Sequence, residues 1–218
     1  MSHYGYSWEA VEVTTEDGAV CTMFHITGKH GSEWYKSSRP EIPVLLMPSA
    51  WMDAATYLNA LRATEFGESK NTPYPLAIWD EGFDVWIGNQ RGTRYSNPGN
   101  QDTDLYWDVT QETHAKDAVA FIKAIKEATG RDKVNYIGHE HGNAIAAYAM
   151  AQDTAGWWKE NVNKVIALEP CFLLTLAWYD TKEEQVKDED GKAVIDPLTD
   201  APMTETTIVD WDAEKFYD

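Results

Sequence analysis

The chemistry of this sequence is concentrated in Tyr136-Ile137-Gly138-His139-Glu140-His141-Gly142, where two histidines flank a carboxylate and glycines stand two residues to either side of it. The spacing is that of a nucleophile elbow, Gly-x-Ser-x-Gly, with glutamate in the serine's place. Such a turn is sharp and strained, so its neighbours at two before and two after must be small. It lifts the central side chain to the top of a sheet, beside the amino end of a helix. A carboxylate placed there has three uses. It can attack carbon, as carboxylates do in covalent catalysis, provided a base comes within hydrogen-bond reach of the water that follows. It can join the two histidines around a metal, although zinc sites on helices want ligands at i and i+4, as in His-Glu-x-x-His, and this spacing is different. Or it is held by the helix amino terminus or salt-bridged, with Arg91 a candidate partner. The third use is the expected one, with both histidines bonded to local backbone and no metal or cofactor implied.

The elements that must position this turn are legible as periodicities. Glu9–Thr14 and Val20–Thr27 alternate apolar and polar residues around Glu16-Asp17-Gly18, which predicts a hairpin. Continuous apolar runs at Ile42–Met47, Phe83–Ile87, Lys133–Ile137 and Lys164–Leu168 predict strands buried on both faces. Thr113–Ala128 carries Ala118, Phe121, Ile122, Ile125 and Ala128 on one stripe and stops at Gly130, so a helix is predicted there. Gly142–Gln152 is Ala-rich and predicts a second helix, small enough to pack closely on a sheet. Strands alternating with helices imply an α/β fold, a mostly parallel sheet covered on both faces. Ligands in such folds bind at the carboxyl ends of the strands.

The chain has 218 residues, 18 Lys+Arg against 36 Asp+Glu, and a net charge of −18. Residues 180–218 hold 13 of the acidic and 4 of the basic side chains, so half of the excess lies in under a fifth of the chain. No Lys/Arg cluster offers phosphate contacts, which argues against nucleic acid and against anionic membrane surfaces. No apolar run approaches the roughly 18 residues of a transmembrane helix. The opening residues have neither a basic flank nor an apolar core, and Cys21 and Cys171 are too few for a disulfide framework, so an intracellular setting, mitochondrial or cytoplasmic, is expected. Trp51, Trp79, Trp86, Trp107, Trp157, Trp158 and Trp178 are expected mostly in the core.

The chain resembles the acid lipases, the gastric and lysosomal branch of the α/β-hydrolases. The resemblance rests on Trp8 to Gly18, on Glu81-Gly82-Phe83-Asp84-Val85-Trp86-Ile87-Gly88-Asn89-Gln90-Arg91-Gly92, and on Tyr106-Trp107-Asp108 followed by Glu112, Lys116, Asp117 and Phe121-Ile122. It extends over about residues 8–172 and implies a truncated α/β-hydrolase fold lacking the last strands and most of the cap. Where that family has its nucleophilic serine this chain has Glu140. Where it has His-Gly-Leu in the oxyanion loop this chain has Pro48-Ser49-Ala50, and proline carries no N–H. The acid and histidine that the family places after later strands have no counterpart here.

These departures set the functional expectations. The leading one is a pseudoenzyme, an accessory subunit of a multiprotein assembly, with a degenerate elbow at Gly138, His139, Glu140, His141 and Gly142. The alternatives are an unorthodox hydrolase completed by a second chain and a lipid or acyl carrier with a residual pocket. Two domains are expected, a hydrolase-like one over 1–179 and an acidic extended arm over 180–218. The strand Lys164–Leu168 becomes a sheet edge, and an uncovered edge invites association. Other protein subunits are therefore expected along that strand and the arm, with Trp178, Trp211, Phe216 and Tyr217 as anchors.

Overall fold

The computed structural model describes residues 1–31, 42–50, 52–58, 72–96, 103–170, 181–185, 187, 192 and 204–208. The chain divides into two units, Met1–Leu173 and Leu174–Asp218. The first holds a six-stranded sheet in the order β1-β2-β4-β3-β5-β6. Its strands are β1 (Tyr6–Thr14), β2 (Val20–Lys29), β3 (Ile42–Met47), β4 (Phe83–Asn89), β5 (Val134–His139) and β6 (Val162–Leu168). The β1–β2 hairpin is antiparallel and pairs antiparallel with β4. From β4 onward every pairing, β4–β3, β3–β5 and β5–β6, is parallel.

The continuous apolar runs of β3, β4 and β5 behave as their composition requires, whereas β6, also expected to be buried on both faces, lies at the end of the sheet and is largely exposed. Alternate residues of a strand point to opposite faces, so a strand covered on both sides is apolar throughout. Leu45 and Met47 of β3 enter one core with Trp86 and Tyr136, whereas Val44 and Leu46 enter the other with Val85, Ile87 and Ile137. Helices α4 (Gln111–Thr129), α5 (His141–Gln152) and α6 (Trp157–Asn161) contribute to the first core. Helices α1 (Ala54–Leu58) and α2 (Tyr74–Asp80) contribute to the second. A short α3 (Asp104–Trp107) precedes α4.

Helix α4 starts where Thr110 and Thr113 cap each other reciprocally, and it stops at Gly130 in the left-handed region, φ 66°. Its stripe is Ala118, Phe121, Ile122 and Ile125, all fully buried. Ala128, expected on the same stripe, is exposed in the last turn of the helix. Trp79 and Trp86 are buried as expected and Trp158 is buried too, but Trp107 is 63% exposed at the end of α3. Cys21 is a buried thiol, pushed up by burial; Cys171, Trp51 and Trp178 lie outside the described residues.

The second unit contains β7 (Thr181–Gln185) paired antiparallel with β8 (Thr204–Ile208). The arm is therefore not simply extended. The Thr-rich strands carry β-branched residues that suit a sheet, a signal masked in the sequence by the surrounding charge. Trp211, Phe216 and Tyr217 lie outside the described residues.

Candidate functional site

The elbow forms where β5 turns into α5, and both glycines are sterically required. A Cβ on Gly138 would sit 2.6 Å from Asn143 Oδ1 and 2.7 Å from Asn143 N, and one on Gly142 would sit 2.4 Å from Met47 O. Between them Glu140 adopts φ 49° and ψ −106°. Only one other non-glycine residue among those described has positive φ, Glu169 at 44°, just past the end of β6. The strained turn is fastened on three sides. Tyr136 Oη donates to Gly142 O at 2.6 Å, Glu140 N donates to Leu168 O at 3.0 Å, and Asn143 Nδ2 donates to the same oxygen at 2.9 Å.

The Glu140 carboxylate uses one oxygen for all its bonds. Oε2 accepts from the backbone N–H of His141 at 2.8 Å, from the backbone N–H of Ala50 at 3.2 Å, and from the Ser49 hydroxyl. Among the described residues Oε1 accepts nothing. Burial works against the charged carboxylate, but these three donors outweigh it and hold the carboxyl below its ordinary range. The amino end of α5 adds a favourable field. Two backbone N–H groups converging at the carboxyl ends of β3 and β5 are an oxyanion-binding arrangement. The loop Pro48-Ser49-Ala50, expected to have lost that role, supplies two of the donors. The amide lies at Ala50, two residues beyond the proline, so the missing N–H of Pro48 does not matter.

Three expected contacts are corrected. Arg91 does not pair with Glu140. It leaves β4 beside α4 and the β1–β2 turn, where Nε and Nη2 donate to Asp117 Oδ1 at 2.9 and 2.7 Å. Its Nη1 and Nη2 also donate to Asp17, both at 2.9 Å. The histidines do not bond local backbone. His139 Nε2 meets Glu169 Oε2 at 3.0 Å, and His141 Nε2 meets His114 Nδ1 at 3.0 Å. No group of three or more His, Cys, Asp or Glu among the described residues is placed to hold a metal.

His114, on α4, carried no sequence signal. Its Nε2 lies 3.3 Å from Arg91 O, which only accepts, so the proton belongs on Nε2 and Nδ1 accepts from His141 Nε2–H. Burial holds His114 and His141 neutral and pushes each down to about 4. Glu169 was also missed, because an acidic residue before a proline is unremarkable until β6 brings it beside β5. A groove of about 520 Å³ lined by Lys116, Lys123, Tyr148 and Trp157, among others, shares no residue with the elbow.

A parallel-centred sheet with helices on both faces and a strained turn over two converging N–H groups defines a hydrolase scaffold. The chain belongs to the α/β hydrolase fold family, which matches residues 66–195. It is similar to human lysosomal acid lipase/cholesteryl ester hydrolase, at 30% identity over 156 residues covering 70% of this chain and 37% of that protein. It is equally similar to rat gastric triacylglycerol lipase, at 30% over 156 residues covering 69% and 37%. Lipase lipl-1 of Caenorhabditis elegans matches at 30% over 181 residues, 78% of this chain and 40% of that one. A solved structure of a hypothetical protein from Pseudomonas aeruginosa shares the fold, with a TM-score of 0.50, 13% identity, and coverage of 75% and 42%. The chain thus spans about two fifths of the length of these relatives. The expectation of a protein outside enzymology is overturned by this membership, since the family is one of hydrolases and these relatives are lipases by name. Among the described residues no helix is long and apolar enough to cross a membrane.

Proposed function

We propose that this chain carries the nucleophile of an unorthodox hydrolase, and that Glu140 is that nucleophile. The observation that carries the reading is the division of labour between its two oxygens. Oε2 is held by the N–H groups of His141 and Ala50, while Oε1 accepts no hydrogen bond among the described residues. Attack by Oε1 on carbon makes an ester whose carbonyl oxygen is already seated in the N–H pair. When water then adds to that ester, the developing oxyanion meets donors that need no rearrangement.

The substrate class follows from the leaving group. Attack by a carboxylate on the acyl carbon of an alkyl ester is unproductive, because the intermediate expels the carboxylate more readily than the alkoxide. Attack on a saturated carbon bearing a group that leaves as an anion has no such return path. Glu140 forms a C–O bond, the leaving group departs with its electron pair, and the alkyl ester of Glu140 remains. Water adds at its carbonyl carbon, a base takes the proton, and the alcohol is released as the carboxylate is restored. With 1-bromohexane as probe, bromide and 1-hexanol are the products, and the experiment is to follow isotopic oxygen through a first turnover.

A second observation supports a larger assembly. β6 ends the sheet, and Val165 and Ile166 are 39% and 42% exposed on it. A parallel strand with apolar residues is built for cover on both faces. We propose that further polypeptide, covalently joined or a separate subunit, extends the sheet there. The isolated chain then self-associates through this edge, and Val165→Lys with Ile166→Lys makes it monomeric in light scattering. A wild-type chain that stays monomeric at high concentration contradicts the proposal.

A further inference from the structure

We infer that His139 and Glu169 form the base and its orienting acid for hydrolysis of the Glu140 ester, an inference that rests on Glu140 being the nucleophile. The two non-glycine residues at positive φ, Glu140 and Glu169, stand at the ends of the neighbouring strands β5 and β6. Such conformations cost of order 1–3 kcal/mol each and persist where the surroundings enforce them, typically at functional sites. Here the enforcing contact is shared, because Glu140 N donates to the carbonyl of Leu168, the residue that precedes Glu169. The strain at Glu169 turns its carboxylate back onto β5, where Oε2 lies 3.0 Å from His139 Nε2. Glu169 is solvent-facing, with its side chain 82% exposed, and His139 is 27% exposed. A surface glutamate held in a strained conformation for one histidine contact has no packing reason to be there.

The tautomer follows from the contact. A carboxylate accepts only, so His139 carries its proton on Nε2 and Nδ1 keeps a lone pair, unbonded among the described residues, the form a general base needs. The orientation relates to the same loop that serves Glu140. The His139 ring centroid is 6.1 Å from that of Tyr57, and Tyr57 Oη donates to Met47 O at 2.8 Å. Ser49 and Ala50, which hold Glu140, follow Met47 directly. Both side chains therefore approach the stretch that runs from the end of β3 into α1.

In the step assigned to this pair, a water oxygen bonds to the carbonyl carbon of the Glu140 ester and its proton passes to His139 Nδ1. The charge on the ester oxygen rests on the N–H groups of Ala50 and His141, and Glu169 stabilises the imidazolium. The bond from that carbon to the alkoxy oxygen breaks, the alcohol takes the proton from His139, and the carboxylic acid left on Glu140 releases its proton to solvent, so that free carboxylate and neutral imidazole are restored.

The test uses the full chain, 1-bromohexane as probe, and separate readings of bromide, hexanol and intact mass. His139→Gln is expected to release one equivalent of bromide per chain, accumulate a hexyl adduct on Glu140, and release hexanol at least about 100-fold more slowly than wild type. The bromide burst itself shows that the elbow is folded. Glu169→Gln is expected to slow hexanol release about 10-fold while the bromide burst still reaches one equivalent per chain, a split between the two steps that a general loss of structure would not produce. Wild-type hexanol release from His139→Gln overturns this inference while leaving Glu140 as nucleophile. Absence of bromide release and of adduct from wild type and variant alike overturns both.

Discussion

Two carboxylates, Asp117 and Glu140, sit in the same half of the molecule and are treated in opposite ways. Asp117 is fully buried and faces a guanidinium, and Arg91 is itself 1% exposed. Its Oδ1 accepts from Arg91 Nε and Nη2, and its Oδ2 accepts from Arg91 N, so neither oxygen is free. Burial nevertheless pushes its carboxyl up, against the pull of the guanidinium. Among the described residues Glu140 has only neutral donors beside it, and all of them serve one oxygen. Its carboxyl moves down despite partial burial. A saturated carboxylate in a closed ion pair fastens the fold, whereas one held by a single oxygen has a reactive atom left over.

The largest effect expected from this contrast is on stability. Arg91→Met leaves Asp117 and Asp17 facing each other without their shared cation, and breaking such a buried network costs about 3–5 kcal/mol. Glu140→Gln, which keeps an oxygen for the N–H pair, costs about 1 kcal/mol or less. Denaturant midpoints of the two variants check the ordering. Equal losses would mean that Glu140 is a fastener of the same kind.

A smaller effect comes from the neutral His114–His141 pair beneath the elbow. Both histidines are pushed down from 6.5 to about 4, so the unfolded chain takes up protons first as pH falls. Their contribution is fully present above about pH 6.5 and is lost progressively between there and about pH 4. At about 1.4 kcal/mol per unit, either site taken alone accounts for about 3 kcal/mol across that window. His25 acts with the opposite sign. Burial disfavours its charge, but bonds to Asp84 and Glu9 raise it. The measurement is therefore a difference, the pH dependence of the unfolding midpoint in wild type minus that in His114→Gln. A flatter curve in the variant is expected, and parallel curves contradict the assignment.

The fold was legible where periodicity is strong. The buried strands β3, β4 and β5 read directly as apolar runs, because in a sheet covered on both faces nothing else fits, whereas the fourth run, β6, forms a strand that is largely exposed. The elbow read from Gly138 and Gly142, since the clash of a Cβ with Asn143 and Met47 leaves only glycine. What the elbow holds did not read. Ser49 and Ala50 lie about ninety residues from Glu140, and no local pattern announces that an amide from one turn will meet a carboxylate from another. Proline at 48 suggested a lost donor only because the donor's position within the loop is a three-dimensional fact. Arg91 was a reasonable partner for Glu140 by charge alone, and Asp117 on α4 proved closer because β4 delivers Arg91 to that side. His114 and Glu169 look like ordinary polar positions until α4 and β6 are packed. The β7–β8 pair was hidden for another reason, because its polar strands lack the alternation that marks a half-buried sheet.

The central claim is that Oε1 of Glu140 bonds to substrate carbon, and one measurement addresses it directly. The full chain, in molar excess over 1-bromohexane, is allowed a single turnover in water enriched in oxygen-18, and both the Glu140 peptide and the hexanol are analysed by mass. The account predicts label in the Glu140 carboxylate and unlabelled hexanol, because the alcohol leaves with an oxygen that belonged to the protein. Label in hexanol with none at Glu140 would show that water attacks the substrate directly, and would contradict it.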